Sequence, residues 1–259
     1  MNALSAPHRG TQPLADDLAC ALDPVRFARR LGIEPDPWQA DVLRSDDRRM
    51  LLNCSRQSGK STVAGIVALH RAVYWPGSLV LMLSPSLRQS QELFRAASRL
   101  YLNSDLDAPQ ESSTQRLMLP NGSRIVGLPG SERTTRGFSG VALVILDEAS
   151  RIEDALYFSV LPMLATTEGR LLAMSTPFGR RGWWADAWHD GHGWQRVQIT
   201  ADLCPRISPA FLAEQQRAMG DFWFQQEYLC QFSDTMSSAF RTIDIENARH
   251  GERVEPWFL

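Results

Sequence analysis

The chain has 259 residues, 44% of them apolar and 22% charged, with a formal net charge of −2. That length holds one large domain or two small ones around an ample core, and the composition excludes a disordered chain or a histone-like basic coat. No apolar run reaches the roughly 18–20 residues that span a bilayer, and the polar amino terminus lacks the apolar stretch of a secretory signal, so a soluble cytosolic protein is expected.

In chain order, residues 1–36 read as an irregular arm followed by a short helix over Pro24 to Leu31. Pro37-Trp38-Gln39 comes next. A planar ring and a side-chain amide suit stacking on adenine and reading its N6 and N7 edge; a buried Trp beside a helix-opening Gln is the alternative. Met50-Leu51-Leu52-Asn53 reads as a buried strand, and Thr62 to Leu69 as helix. Between them runs Cys54-Ser55-Arg56-Gln57-Ser58-Gly59-Lys60-Ser61. Strand, loop and helix form the context that a phosphate-binding loop requires. Gly59 lets the backbone approach phosphates, and the helix amino terminus adds its unpaired N–H groups. Lys60 would reach the β- and γ-phosphates of ATP, and the Ser61 hydroxyl would bind Mg²⁺. Ser55 to Thr62 are thus the candidate nucleotide-binding residues. The loop departs from GxxxxGK[ST] by carrying Cys54 at the first glycine. Against that departure, 26 of the 27 basic residues are arginine, and the one lysine is Lys60. A lysine kept against such a bias marks a site where a planar guanidinium will not substitute for a compact ammonium.

Further strands are expected at 79–83, 141–146 and 170–175, with helices near 61–75 and 87–102. Residues 117–126 contain Asn121-Gly122 between apolar segments, the signature of a hairpin. Val141 to Leu146 is a continuous apolar run, as in a central parallel strand buried on both faces, and it ends in Asp147-Glu148. Asp147 would hold Mg²⁺, and Glu148 would orient and deprotonate the attacking water. Leu171 to Met174 ends in Ser175-Thr176-Pro177, whose hydroxyls are candidates for sensing the γ-phosphate and passing its loss onward. Ser208-Pro209 opens a helix to about Met219. Trp183, Trp184 and Trp188 beside Arg180-Arg181 suit packing better than nucleic-acid stacking, and His189 and His192 lack further metal ligands nearby.

With these elements in this order, the chain resembles the large subunit of tailed-phage terminases over about residues 37–232. The matching residues are Trp38-Gln39, the Ser-Arg-Gln-x-Gly-Lys-Ser loop at 55–61, Ser84-Pro85-Ser86 with Gln89-Ser90, Arg136-Gly137, Leu146-Asp147-Glu148-Ala149, Ser175-Thr176-Pro177 and Gln226 to Phe232. The resemblance implies an α/β P-loop NTPase of RecA/ASCE type, with a mainly parallel sheet flanked by helices and a small lid. It implies an ATPase that uses ATP and Mg²⁺ to move double-stranded DNA into a procapsid. It also implies work in the host bacterium's cytoplasm with a portal protein and a terminase small subunit, in a homo-oligomeric ring. The expected layout is an arm at 1–45, the ATPase core at 46–177, a lid at 178–235 and a tail at 236–259. The family's nuclease domain finds no room after Phe232, and Asp244 and Glu246 read as a solvated helix start. A helicase-like translocase and an inactive binding module are the alternative functions. Two arginines are candidates for the second cation at the γ-phosphate. Arg56 would act in cis. Arg136 lies in a polar loop at the amino end of the Asp147 strand and would reach a neighbour's ATP in a ring.

Overall fold

The computed structural model describes residues 14–130, 135 and 137–233. Three helices come first: α1 (Leu14–Leu22), α2 (Pro24–Arg30) and α3 (Pro37–Arg44). Asp23 caps α2 by accepting from the Val25 amide, and Pro24 occupies the first turn, where no N–H is needed. The core then alternates strand and helix: β1 (Arg49–Cys54), α4 (Lys60–Tyr74), β2 (Leu79–Ser84) and α5 (Leu87–Leu102). A hairpin region follows, with β3 (Glu111–Ser112), β4 (Arg116–Met118) and β5 (Arg124–Pro129). The chain continues through β6 (Val141–Asp147), α6 (Asp154–Val160), β7 (Arg170–Ser175), α7 (Gly182–His189), β8 (Gln195–Ile199) and α8 (Pro209–Glu227).

One eight-stranded sheet runs in the order β3-β4-β5-β2-β6-β7-β1-β8. β5 through β8 pair in parallel, and β3 and β4 add an antiparallel edge. The expected hairpin is present, with Leu117 opposite Ile125. Its turn residue Asn121 also reaches a helix end, where its amide donates to the carbonyls of Ala72 and Val73 in the last turn of α4, which have no intrahelical partner of their own.

The central strands are apolar throughout because both faces are covered. Leu143 and Ile145 of β6 enter one core with Met82 and Met174, under α4 and α5. Val144 and Leu146 enter the other with Leu81 and Ala173, under α6 and α7. Each such aliphatic side chain contributes about 1.5–3 kcal/mol by burial, so the strand ends at Asp147 are held on a rigid platform. β7 lies between β1 and β6, the strand arrangement of an ASCE-type P-loop NTPase. Among the described residues, no helix is long and apolar enough to cross a membrane.

The structure corrects the expected domain layout at one boundary. Residues 182–199, grouped with the lid on sequence, belong to the core. β8 pairs with β1 along Met50 to Cys54, and Trp183 and Trp184 are buried in the second core. Trp183 stacks on Tyr157 with ring centroids 4.1 Å apart and donates to the Ile152 carbonyl. The aromatic cluster therefore packs α7 onto the sheet. A separate small cluster holds Ala201, Phe224 and Tyr228 and builds the subdomain around α8. Ser208 caps that helix, as expected, and Gly220 interrupts it with φ 74°, one residue after the expected end at Met219.

Candidate nucleotide site

Parallel strands leave their carboxyl ends at one edge, where α/β folds bind ligands. Here the register aligns Asn53 of β1 with Ser175 of β7, and Asp147 of β6 with Met174. Leu83, just before Ser84 of β2, pairs with Leu146. The loop from Ser55 to Gly59 leaves this edge and opens directly into α4 at Lys60.

The loop is fixed from both sides. Its Ser55 amide donates to the Ile199 carbonyl at the end of β8, and its Arg56 amide to the Glu227 carbonyl at the end of α8. Gln57 and Gly59 both take left-handed backbone conformations, with φ 60° and 95°. At Gly59 a side chain is also excluded by space. A Cβ there would lie 2.7 Å from Gln39 Nε2 and 3.0 Å from Arg206 Nη2. The hydroxyls of Ser55 and Ser58 are buried without a partner, an unusual state for polar atoms in a loop otherwise so well bonded. Cys54, at the missing first glycine, is the last residue of β1 and is fully buried. Burial pushes its thiol up to about 12, so it is a neutral core residue.

Across the edge stand the carboxylates. Glu148 has a left-handed backbone, φ 49°, which for a residue with a side chain marks local strain. Its Oε1 lies 3.7 Å from Lys60 Nζ, and both side chains are largely shielded from solvent. Asp147 is buried, with Oδ1 lacking any hydrogen-bond partner. Burial pushes its carboxyl up to about 6, against the pull of the Lys60 ammonium and with a smaller push from Glu148. A buried, half-satisfied carboxylate that shares a cleft with Ser61 fits a hard oxygen-seeking cation such as Mg²⁺. Asp147, Glu148 and Ser61 line an open cleft of about 480 Å³, together with Ser86, the cap of α5, and Arg88 and Gln89 of its first turn.

The remaining candidates divide. Ser175 and Thr176 are bound to the turn after Glu148: the Ser150 hydroxyl lies 2.8 Å from Ser175 Oγ and donates to the Thr176 carbonyl at 2.8 Å. Gln39 spends its carbonyl oxygen on the Asp36 amide at 2.9 Å, opening α3, while its amide nitrogen lies against Gly59. Trp38 is half-buried against the first core. Arg56 is engaged, with Nε donating to Glu227 Oε2 at 2.5 Å. Thr62 lies in the first turn of α4, its amide bonded to the Gly59 carbonyl. Arg136, Asp244 and Glu246 lie outside the described residues. No group of three or more metal-ligating side chains occurs among the described residues, and His189 packs its ring against Phe232.

One residue escaped the sequence reading. Arg206 pairs with Asp36 at 2.8 Å and donates from Nη2 to the Ser58 carbonyl at 2.7 Å, spanning the loop from above. No local pattern announces it, because its partners lie 148 and 170 positions away.

Known proteins resemble this chain in sequence and in fold. The family model for the terminase large subunit, T4likevirus-type, N-terminal region matches residues 51–247. The terminase large subunits of Thermus phage G20c and Thermus virus P23-45 are each 26% identical over 85% of this chain. The chain spans 53% of the length of either relative. Among solved structures, the large terminase ATPase domain of Thermus phage P74-26 superposes with a TM-score of 0.68 at 23% identity, covering 80% of this chain and 97% of that one. The HK97 bacteriophage large terminase gives a TM-score of 0.66 at 19% identity, covering 82% of this chain and 55% of that one. The large terminase of a thermophilic bacteriophage, solved in complex with ADP, gives a TM-score of 0.62 at 13% identity, covering 82% of this chain and 52% of that one. With the matched region covering most of its length, the chain belongs to the terminase large subunit family, and the part it represents is the amino-terminal, P-loop region.

Proposed function

We propose that this chain hydrolyses ATP and is the motor unit that drives double-stranded DNA into a phage procapsid. The observation that carries the reading is the Lys60–Glu148 pair, 3.7 Å apart across the cleft at the carboxyl ends of β1 and β6. An ammonium for phosphate and a carboxylate for water thus face each other over the space where a γ-phosphate fits.

In this reading, the loop amides and the start of α4 cradle the phosphates, aided by the hydroxyls of Ser55 and Ser58. Lys60 leaves Glu148 to bind the β- and γ-phosphates, which frees Glu148 to accept a proton from water. The water oxygen then bonds to the γ-phosphorus, the bond to the bridging oxygen breaks, and ADP and phosphate result. Asp147 and Ser61 would hold Mg²⁺, which when bound would neutralise charge on the phosphate oxygens. Trp38 and Gln39 are assigned to the adenine, a reading supported by the Gln39 amide nitrogen lying against Gly59 of the loop. The Ser175–Ser150 contact links the end of β7 to the turn after Glu148, supporting Ser175 and Thr176 as the couplers of hydrolysis to motion.

The second cation at the γ-phosphate is assigned to Arg136 of a neighbouring subunit, because Arg56 is held by Glu227. That assignment calls for a homo-oligomeric ring, with the portal protein and terminase small subunit as partners in the host cytoplasm. ATP turnover measured with and without double-stranded DNA tests the reading. Mg²⁺-dependent hydrolysis lost in Lys60→Ala and raised by duplex DNA is the expected result. Wild-type protein that binds ATP without turning it over, alone or on DNA, would refute it.

A further inference from the structure

The opposite end of the sheet holds a second cavity. Where β7 begins, about 17 Å along the strand from Ser175 at the ordinary rise per residue, lies a cavity of about 330 Å³. Its interior surface includes the buried side chains of Leu43, Val67 and Leu143, and three arginines line it: Arg44, Arg71 and Arg170.

The three arginines differ in what completes them. Arg44 is exposed and paired with Asp23 at 2.9 Å. Arg170 donates from Nε to the Asp47 carbonyl at 3.1 Å and from Nη2 to the Ser45 carbonyl at 2.8 Å, neither of which carries a net charge. Arg71 sits 4.9 Å over the Trp75 ring, with its Nε sealed from solvent and lacking any acceptor. Among the described residues, neither Arg71 nor Arg170 forms an ion pair.

The carboxylates around the cavity do not pair with its inner arginines. Asp23 is taken by Arg44, and the exposed Asp46 and Asp47 act on Arg170 without forming an ion pair with it. Burial pulls Arg71 and Arg170 below the usual guanidinium range; at Arg170 the charges of Asp46 and, less strongly, Asp47 oppose that pull, and Arg71 adds to it. His70 adds no further cation, since burial holds it below its ordinary value and favours the neutral ring, whose Nε2 contacts the Cys20 carbonyl. In a chain whose cations are nearly all arginine, an arginine is unremarkable by itself. Two that are partly desolvated, line one cavity and lack a direct ion pair are not, because removing a charge from water is favourable only when a partner completes it.

We propose that this cavity binds a phosphate-bearing ligand, with the phosphate between Arg71 and Arg170 and the organic part against Leu43, Val67 and Leu143. Guanidinium groups suit phosphate because their forked donors match its oxygens. The volume lies within the range of small-molecule pockets and exceeds what a phosphate alone would fill. The phosphate belongs either to a free phosphorylated molecule or to a nucleic-acid backbone.

Calorimetric titration of the full chain carrying Lys60→Ala tests the site, since that change removes the phosphate-loop cation. Inorganic phosphate, at constant ionic strength in chloride, is expected to bind once per chain. Adding Arg71→Gln should weaken that binding at least tenfold, whereas Arg44→Gln should alter it less than threefold. Arg170→Gln should also weaken it, but that variant loses two structural hydrogen bonds. Arg71→Gln is therefore decisive, because it has no hydrogen bond to lose, and its melting temperature serves as the fold control. A short DNA duplex that displaces phosphate identifies the backbone as the source, and a duplex that does not points to a free phosphorylated molecule. Absence of saturable phosphate binding, or equal affinity with and without Arg71, would overturn the proposal. Neither outcome bears on ATP hydrolysis at the Lys60 site.

Discussion

Lys60 Nζ and Glu148 Oε1 lie 3.7 Å apart, so in the free protein the phosphate-loop lysine has as its partner the carboxylate assigned to water. Nucleotide must compete with Glu148 for Lys60. Removing the carboxylate charge should therefore separate binding from chemistry. Glu148→Gln is expected to bind ATP at least as tightly as wild type while turnover falls by about 10²-fold or more, the scale of a lost general base. Equilibrium binding of a fluorescent ATP analogue beside steady-state hydrolysis measures both quantities. Normal hydrolysis in Glu148→Gln would move the water-activating role to another residue.

Replacing the lysine tests the other half of the pair. Lys60→Arg preserves the charge but widens the head into a plane, in a loop where Gln39 and Arg206 already crowd Gly59. Turnover should fall by about 10²-fold, the cost of losing one well-placed donor to developing negative charge. A variant with near-normal kcat would show that charge alone suffices there.

Gly59→Ala combines two penalties that can be told apart. The φ of 95° is strained for any residue with a side chain, at about 1–3 kcal/mol. The new methyl would also meet the ends of Gln39 and Arg206, which are long side chains able to turn aside. Arg206→Ala added to Gly59→Ala should therefore restore little stability, because the backbone term remains. Thermal melts of the single and double variants decide between the two. Recovery of most of the lost stability in the double variant would make crowding the dominant cause.

Arg136 is tested by mixing. Arg136→Ala and Glu148→Gln subunits should each be inactive alone and regain partial ATPase activity together, since an intact arginine can then face an intact base across a ring interface. No recovery in a mixture shown to co-assemble would remove the assignment in trans and return Arg56 to consideration, with its bond to Glu227 broken.

What the sequence reveals of this site is what lies contiguously along it. The strand, loop and helix from Met50 to Tyr74 carry their own periodicity, glycine and lone lysine. The apolar run of β6 ends in its two carboxylates within a single segment, and its continuous hydrophobicity follows from burial on both faces. Hidden from sequence are contacts made by folding distant pieces together. Arg206 reaches Ser58 across 148 positions, and Glu227 reaches Arg56 across 171. β8 gives little strand signal because three of its five residues are polar or charged, as an edge strand allows, yet its pairing with β1 ties down the Ser55 amide. Arg71 and Arg170 look like ordinary surface arginines until the cavity between their elements is known.

Asp147 supplies a prediction about pH in the protein free of metal and nucleotide. Its carboxyl rises from 3.8 to about 6 on folding because burial disfavours the charged form. Between these values the folded state holds a proton that the unfolded state has released, so stability falls as pH rises through that window. The contribution is fully present below about pH 4 and lost above about pH 6. A shift of two units corresponds to about 3 kcal/mol as an upper limit. Asp147→Asn, which keeps the shape and cannot ionise, should therefore be more stable than wild type at pH 7 by up to that amount, with the gap closing toward pH 4. Urea midpoints of both proteins at pH 4.5, 5.5 and 7 measure the difference, and subtraction cancels every group the two share. Mg²⁺ with nucleotide should narrow the gap at pH 7, because a cation beside Asp147 favours the carboxylate that only wild type can offer. A gap independent of pH would mean that Asp147 is ionised at little cost in the free protein, and that Lys60 alone compensates its burial.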